Sequence, residues 1–333
     1  MKPFTNANPK DLADAVILAR QAQTANRTAA FAGGGSDLMG MIKERIVAPD
    51  VVINLKGLKE MRGLDQISTM NGTSATIGGQ VTLDTIANHE MIRRSYAALA
   101  EAAGTVATPQ IRHVGTLAGN VCQRPWCWYY RNGFKCYKAG GNMCYSVAGE
   151  NQFHAIFGGG PSFIVHPSDT APALVALEAT FRIVGPNGER LMPAADFFVL
   201  PRANAQQENV LAPNEVLADI HLPRPNPQMR STYFKVLDRE AWTHAVVSAA
   251  VVLQMDGGVC RSARVVMGGV APIPWRLPEV ERALTGQRIT SELAARAGEI
   301  AIQNATPMGK NAYKVPLTKG VIEQTVAELA ARA

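Results

Sequence analysis

Four of the chain's five cysteines fall between residues 122 and 144, in CQRPWCWYYRNGFKCYKAGGNMC. The thiolate is the nucleophilic and metal-ligating form of cysteine, so such crowding asks for redox or metal chemistry. The spacing through Cys122, Cys127, Cys136 and Cys144 is C-x4-C-x8-C-x7-C, and only the first gap comes near the C-x2-4-C knuckle of a structural zinc site. The same stretch carries Trp126, Trp128, Tyr129, Tyr130, Phe134 and Tyr137 together with Arg124, Arg131, Lys135 and Lys138, and no acid. Apolar cover with positive charge suits an anionic iron–sulfur cluster, whose potential responds to burial, charge and hydrogen bonding. Zinc, redox thiols and buried cysteines packed among aromatics stay open on spacing alone. Cys260 stands apart in a strand-like stretch and reads as core.

Two glycine-rich stretches offer a different chemistry. Residues 32–44, AGGGSDLMGMIKE, have Leu38 where G-x-G-x-x-G needs its third glycine, and no Gly-Lys-Ser/Thr follows, so neither a Rossmann fingerprint nor a P-loop is present. Consecutive glycines can still turn successive amides inward, and Ser36 adds a hydroxyl ahead of a helical pattern, so Ala32, Gly33, Gly34, Gly35 and Ser36 could seat a pyrophosphate. A second polar loop, Arg112 to Asn120, would supply another glycine-rich strand-to-helix corner for the far end of a dinucleotide. HPSD, residues 166–169, precedes a helix. His166, Ser168 and Asp169 are too close in sequence for a hydrolase triad, and G-x-S-x-G is absent, so no catalytic side chain is assigned.

The elements that must position these loops follow from periodicity. Lys10 to Gln23 predicts a helix capped by Asn8 with Pro9 in its first turn; a strand ends at Phe31, and VVINL at 51–55 is the next buried strand, giving β-α-β around the first glycines. Residues 74–92 repeat strand, Gly78-Gly79 and a helix capped near Thr82; a further helix leads into residues 109–121, read as a turn. A helix from Thr170, a hairpin over 180–198 bent at Pro-Asn-Gly, and the strand EVLADIHLP run up to the proline-rich boundary at 223–227. Beyond it two strands meet at Gly257-Gly258, and helices are expected near 277–285, 291–304 and 316–331.

At 333 residues, 47% apolar and 18% charged, the chain predicts a mixed α/β protein of more than one core, ending in an α+β stretch beyond the proline-rich boundary. The net charge of +6 is spread along the sequence, which argues against nucleic acid. No apolar run is long enough to span a bilayer and no signal-peptide core opens the chain, so membrane insertion is not expected and no export signal is read. The cysteines do not form a spaced disulfide framework.

FAGGGSDLMGMIKE, TPQIRHVGTLAGNV, HPSDTAPALVALEA, YFKVLDRE and GGVAPIPWR, in that order, resemble the FAD-binding medium subunit of the xanthine dehydrogenase family of molybdenum hydroxylases. The cysteine insertion is similar to that of the [4Fe-4S]-containing medium subunits of 4-hydroxybenzoyl-CoA reductase and periplasmic aldehyde oxidoreductase. The resemblance implies a two-lobed FAD-binding domain of the vanillyl-alcohol oxidase type at 1–222, with lobes at about 1–57 and 58–222 and an iron–sulfur loop at 121–165. A carbon monoxide dehydrogenase flavoprotein C-terminal domain would follow at 228–333. It further implies FAD held by residues 32–36, by Thr108, Gly115, Thr116, Gly119 and Asn120 of the second loop, and by Asp169, with Lys235 near the flavin. A [4Fe-4S] cluster would sit on Cys127, Cys136, Cys144 and a fourth ligand; Ser162 stands where a cysteine is expected, leaving Cys122, Ser162 or His154, of which Cys122 is taken. Implied partners are a large molybdenum-cofactor subunit and a small subunit with two [2Fe-2S] clusters, in the cytoplasm or in the periplasm by co-export. The rivals are a stand-alone FAD-dependent oxidase of the same fold and a zinc-stabilised binding module.

Overall fold

The computed structural model describes residues 1–69, 72–240 and 243–332. Its first unit runs β1 (Thr5–Ala7), α1 (Leu12–Thr24), β2 (Ala29–Ala32), α2 (Leu38–Lys43) and β3 (Val51–Asn54). The strands form a parallel sheet in the order β1-β3-β2, so the β-α-β expectation around the first glycines is met. The cap of α1 differs from the expectation. The Asp11 carboxylate accepts the Asp14 amide at 2.7 Å, whereas Asn8 Oδ1 accepts from Asn54 Nδ2 at 3.0 Å. A carboxylate at the helix start outcompetes an asparagine already spent on cross-linking β3.

The second unit begins with β4 (Leu64–Thr69) and β5 (Gly72–Gly78), then α3 (Leu83–Asn88), α4 (Glu90–Ser95), α5 (Ala97–Gly104), α6 (Pro109–Val114), α7 (Leu117–Val121) and α8 (Trp128–Arg131). After the irregular cysteine loop come α9 (Thr170–Ala176), β6 (Thr180–Gly185), β7 (Gly188–Pro193), α10 (Ala194–Phe197) and β8 (Val216–Leu222). The five strands order as β4-β5-β8-β6-β7, and β8, the last in sequence, lies between β5 and β6. Residues 109–121, read as a turn, are instead two short helices. Thr108 caps α6 with Pro109 at its first position, and Thr116 caps α7 by accepting the Gly119 amide at 3.2 Å.

The C-terminal unit is a four-stranded antiparallel sheet, β12-β11-β10-β9, built from β9 (Met229–Val236), β10 (Val247–Asp256), β11 (Val259–Gly268) and β12 (Trp275–Arg276). Helices α11 (Pro278–Leu284), α12 (Ser291–Ala301) and α13 (Lys314–Ala331) complete it. Gly257 and Gly258 both take positive φ at the β10–β11 bend, as a two-residue hairpin requires. Alternation along β10 assigns the faces: Val247, Ala249, Val251 and Leu253 pack with α11–α13, while Ala250 and Val252 join the core beneath α5 and α9. The sheet is therefore buried on both sides and ties the C-terminal unit to the second one. Ala333, the end of the expected last domain, lies outside the described residues.

Candidate functional site

The first glycine loop leaves β2 at Ala32 and lies directly on the junction of α6 and α7. A Cβ on Gly34 would run into the Val114 carbonyl, and one on Gly33 would come within 2.8 Å of Thr116 Oγ1 and 2.9 Å of Gln80 Nε2. Gly35 takes φ +78°, where an L side chain is strained. Side chains are thus excluded where the two loops meet, which leaves main-chain amides as the groups able to approach a ligand.

Between them opens a cleft of about 470 Å³. Gly33, Gly34, Gly35 and Ser36 line one wall, Gly115, Thr116, Gly119 and Asn120 the next, and Asp169 the floor. Ala32, Thr108 and Lys235 do not line it. Ala32 is the end of β2, the Thr108 hydroxyl accepts the Ile111 amide as a helix cap, and Lys235 acts from behind Asp169. Lys235 Nζ stands 2.7 Å from Asp169 Oδ2 and also donates to the carbonyls of Thr105 and Thr243, while the Tyr233 hydroxyl donates to Asp169 Oδ1 at 2.7 Å. Burial, then the Asp169 charge, pushes the Tyr233 phenol well up, so it remains a donor. Asn120 is partly engaged: its Oδ1 accepts from Ser168 Oγ at 2.6 Å and Thr170 Oγ1 at 2.7 Å, fastening α7 to the start of α9. A second cleft of about 510 Å³, between α1 and the β6–β7 hairpin, contains none of the candidate residues.

Sequence reasoning missed the opposite wall, which includes Asp37, Trp126, Thr243 and His244. Trp126 reaches it from the cysteine loop, its ring 5.4 Å from that of His244, with the Arg131 guanidinium 4.3 Å above the indole. Asp37 binds Arg131 at 2.7 Å and the Arg124 amide at 3.0 Å, linking glycine loop to cysteine loop. Asp37 follows the glycines directly, but nothing local marks Trp126 or His244 as cleft residues.

The loop's cations do different work from that expected of them. Arg124 and Lys138 converge on the buried Glu208, at 2.7 and 2.5 Å, and Arg131 is taken by Asp37. They anchor the loop to acids far away in sequence. Lys135 alone of the four is exposed.

Cys127, Cys136 and Cys144 share one neighbourhood, close enough for the charges of Cys136 and Cys144 to act on Cys127. Burial, the larger cause, and those charges push the Cys127 thiol up to about 11. Tyr129, Phe134 and Tyr145 of the same loop form an aromatic cluster with edge-on ring contacts of 5.3 and 5.0 Å. His154 Nε2 stands 3.4 Å from Cys127 Sγ. Cys122, at the end of α7, lies elsewhere: it lines the cleft beside Asn120 and packs against the core of the second unit, and burial pushes its thiol up to about 12. Cys127, Cys136 and Cys144 do not line that cleft. Among the described residues no group of three or more His, Cys, Asp or Glu side chains is gathered about a point as a single metal ion would require. A cluster presents one iron to each ligand, so its ligands need not touch, and neighbouring thiols are suitable donors. Cys260 is fully buried among β10, β11 and α11, as expected of core.

Two family descriptions match the chain: "FAD binding domain in molybdopterin dehydrogenase" over residues 2–225, and "CO dehydrogenase flavoprotein C-terminal domain" over 232–329. It is 33% identical to the aldehyde oxidoreductase FAD-binding subunit of Escherichia coli (strain K12), over 100% of both chains. With the nicotinate dehydrogenase FAD-subunit of Eubacterium barkeri it shares 29% identity over 88% of this chain and 83% of the other. Among solved structures, a chain of carbon monoxide dehydrogenase from Hydrogenophaga pseudoflava superposes with a TM-score of 0.78 at 25% identity, covering 100% of this chain and 99% of that one. The described residues include no helix long and apolar enough to cross a membrane. The paired glycine loops, their shared cleft and these matches agree: the chain belongs to the family of FAD-binding subunits of molybdenum hydroxylases.

Proposed function

We propose that this chain is the electron-transfer subunit of a three-component hydroxylase acting on an aldehyde or an N-heterocycle. A large partner would carry the molybdenum cofactor and a small one two [2Fe-2S] clusters. The observation that carries this reading is the closure of the glycine loop on the α6–α7 junction over a cleft floored by Asp169. Main-chain amides of residues 33–36 would face the diphosphate of FAD; the Thr116 and Asn120 turn would hold its second half, and Asp169, fixed by Lys235 and Tyr233, would meet its sugar-like chain. FAD, when bound, accepts electrons singly or in pairs and delivers them to an external acceptor. The protein's task is to seat it, exclude water with Trp126 and His244, and keep Asp169 fixed between Lys235 and Tyr233. No side chain is required as nucleophile or general base.

A [4Fe-4S] cluster in the cysteine loop is part of the same reading, supported by the nearness of Cys136 and Cys144 to Cys127 and by the aromatic cluster of the same loop. So is the division into domains at 1–222 and 228–333, supported by the break between the two matched stretches. The compartment, cytoplasm or periplasm by co-export, would follow that of the large partner. Purification from the native source tests the assignment: the expected result is yellow-brown protein with about one FAD per chain, travelling with a larger and a smaller subunit. A chain that isolates alone and oxidises a substrate unaided would overturn it.

A further inference from the structure

We infer that Gln80 belongs to the FAD site: its side-chain carboxamide donates a hydrogen bond to the cofactor's diphosphate at the seam between the glycine loop and the start of α7. This rests on the reading of the cleft as the place where FAD is held. Gln80 retains 6% of its exposure, yet its Oε1 has no hydrogen-bond partner among the described residues. A carboxamide buried with an unpaired end is costly, and folded proteins keep few of them.

The place of this amide indicates its partner. A Cβ built on Gly33 would stand 2.9 Å from Gln80 Nε2, 3.3 Å from Gln80 Oε1 and 2.8 Å from Thr116 Oγ1, so the amide and the hydroxyl face one point beside the glycine loop. Gly33 and Thr116 line the cleft on its two walls, and Gln80 stands behind them at the seam. Its backbone is pinned there. The Gln80 amide donates to the Met61 carbonyl at 2.8 Å and the Gly79 amide to the Ala218 carbonyl at 2.7 Å, while the Gly79 and Val81 carbonyls accept the Ala118 and Leu117 amides at 3.0 Å each. Side chains on Gly78 and Gly79 would run into the Met61 and Leu217 carbonyls, so the turn after β5 packs too closely to shift. That turn therefore delivers the carboxamide to the junction where Thr116 caps α7. The two ends of a carboxamide have nearly the same shape, and a half-turn about its last bond exchanges them. A diphosphate offers acceptors alone, so it selects the NH2 end, which would join the main-chain amides of residues 33–36 as a neutral donor.

The test is fluorescence titration of the flavin-stripped full chain with FAD, alongside urea unfolding of the same proteins without FAD. Gln80→Met keeps the length of the side chain and removes both polar ends. It is expected to bind FAD about 10- to 150-fold more weakly, as for a lost hydrogen bond to a charged group. Its urea midpoint should stay at or above the wild-type value, because an apolar side chain of similar shape relieves the unpaired amide. Gln80→Glu keeps the shape, cannot donate once ionised and sets a negative charge against the diphosphate, so it should bind more weakly still, the more so as pH rises. Wild-type affinity in Gln80→Met overturns the inference and leaves the amide to an ordered water. Affinity retained in ionised Gln80→Glu also overturns it, since the side chain would then act as an acceptor. A urea midpoint well below wild type in Gln80→Met does the same, by showing that the carboxamide holds the turn itself. A wild-type chain that takes up no FAD removes the reading of the cleft and the role of Gln80 with it, a result distinct from any difference among the variants.

Discussion

Lys235 Nζ and Asp169 Oδ2 form a 2.7 Å ion pair in which the side chains retain only 1% and 5% of their exposure. Strand β9 supplies the lysine and the start of α9 the acid, so the pair joins the C-terminal sheet to the cleft between the glycine loops. Removing one partner leaves the other charged in a dry site, at a cost of about 3–5 kcal/mol. Asp169→Ala is expected to lose stability by that amount in urea unfolding and to release flavin on gel filtration. A paired Asp169→Leu, Lys235→Met variant should recover part of the stability and none of the flavin binding. Equal flavin content in wild type and Asp169→Ala would refute the role given to this carboxylate.

Gly34→Ala places a methyl group against the Val114 carbonyl, where backbone cannot yield cheaply. Overpacking of this kind costs about 1–3 kcal/mol, which corresponds to roughly 5- to 150-fold weaker flavin binding if it falls on the closure of the cleft. Fluorescence titration of the apoprotein with FAD measures this directly. Circular dichroism should remain that of the wild type, since the loop is outside every sheet core.

Glu208 is the common acceptor of Arg124 and Lys138, and Lys138 is buried. Glu208→Ala strands two cations and is expected to cost about 3–5 kcal/mol. The damage should be local first: limited proteolysis should cut within residues 121–165 before the C-terminal unit is attacked. A variant with wild-type protease resistance in that loop would show that the anchoring lies elsewhere.

Acid should destabilise the protein through His166. Burial, then the positive charge of Lys138, holds its imidazole down to about 3, against an ordinary value of about 6.5 in the unfolded chain. Below about pH 6.5 the unfolded state gains a proton that the folded state refuses, so stability falls with pH by about 1.4 kcal/mol per unit; above that pH the group adds no dependence. His166→Gln should therefore lose about 2 kcal/mol less than wild type between about pH 6.5 and about pH 5. His154 and His244 are also lowered by burial, so some acid sensitivity will persist in the variant. Parallel unfolding curves for the two proteins over that range would refute the assignment.

Much of this architecture is written locally. Strands β2 and β3 with a glycine turn between them, the hairpins at Pro186-Asn187 and Gly257-Gly258, and helices α11 to α13 all follow from short-range periodicity and turn chemistry, which act within a few residues. The residues that line the first half of the cleft were legible for the same reason, since three glycines ahead of a helix announce a backbone-only surface. Residues 109–121 misled because Pro109, Gly115 and Gly119 look like a turn, while side-chain caps at Thr108 and Thr116 fold them into two helices.

What tertiary structure decided is which distant residues share a place. Composition suggested free positive charge around the thiols, yet Glu208 and Asp37, each more than sixty residues from a partner they bind, take up those cations. Cys122 lies near three other cysteines in sequence, but whether they share a place is set by packing: α7 carries Cys122 onto the cleft between the glycine loops, while Asn311 and Lys314 fasten the segment whose His154 stands beside Cys127. Ion pairs and ligand sets depend on distances through space, which the chain fixes only when its cores pack; caps, turns and amphipathic faces depend on neighbours along the chain, and these the sequence states outright.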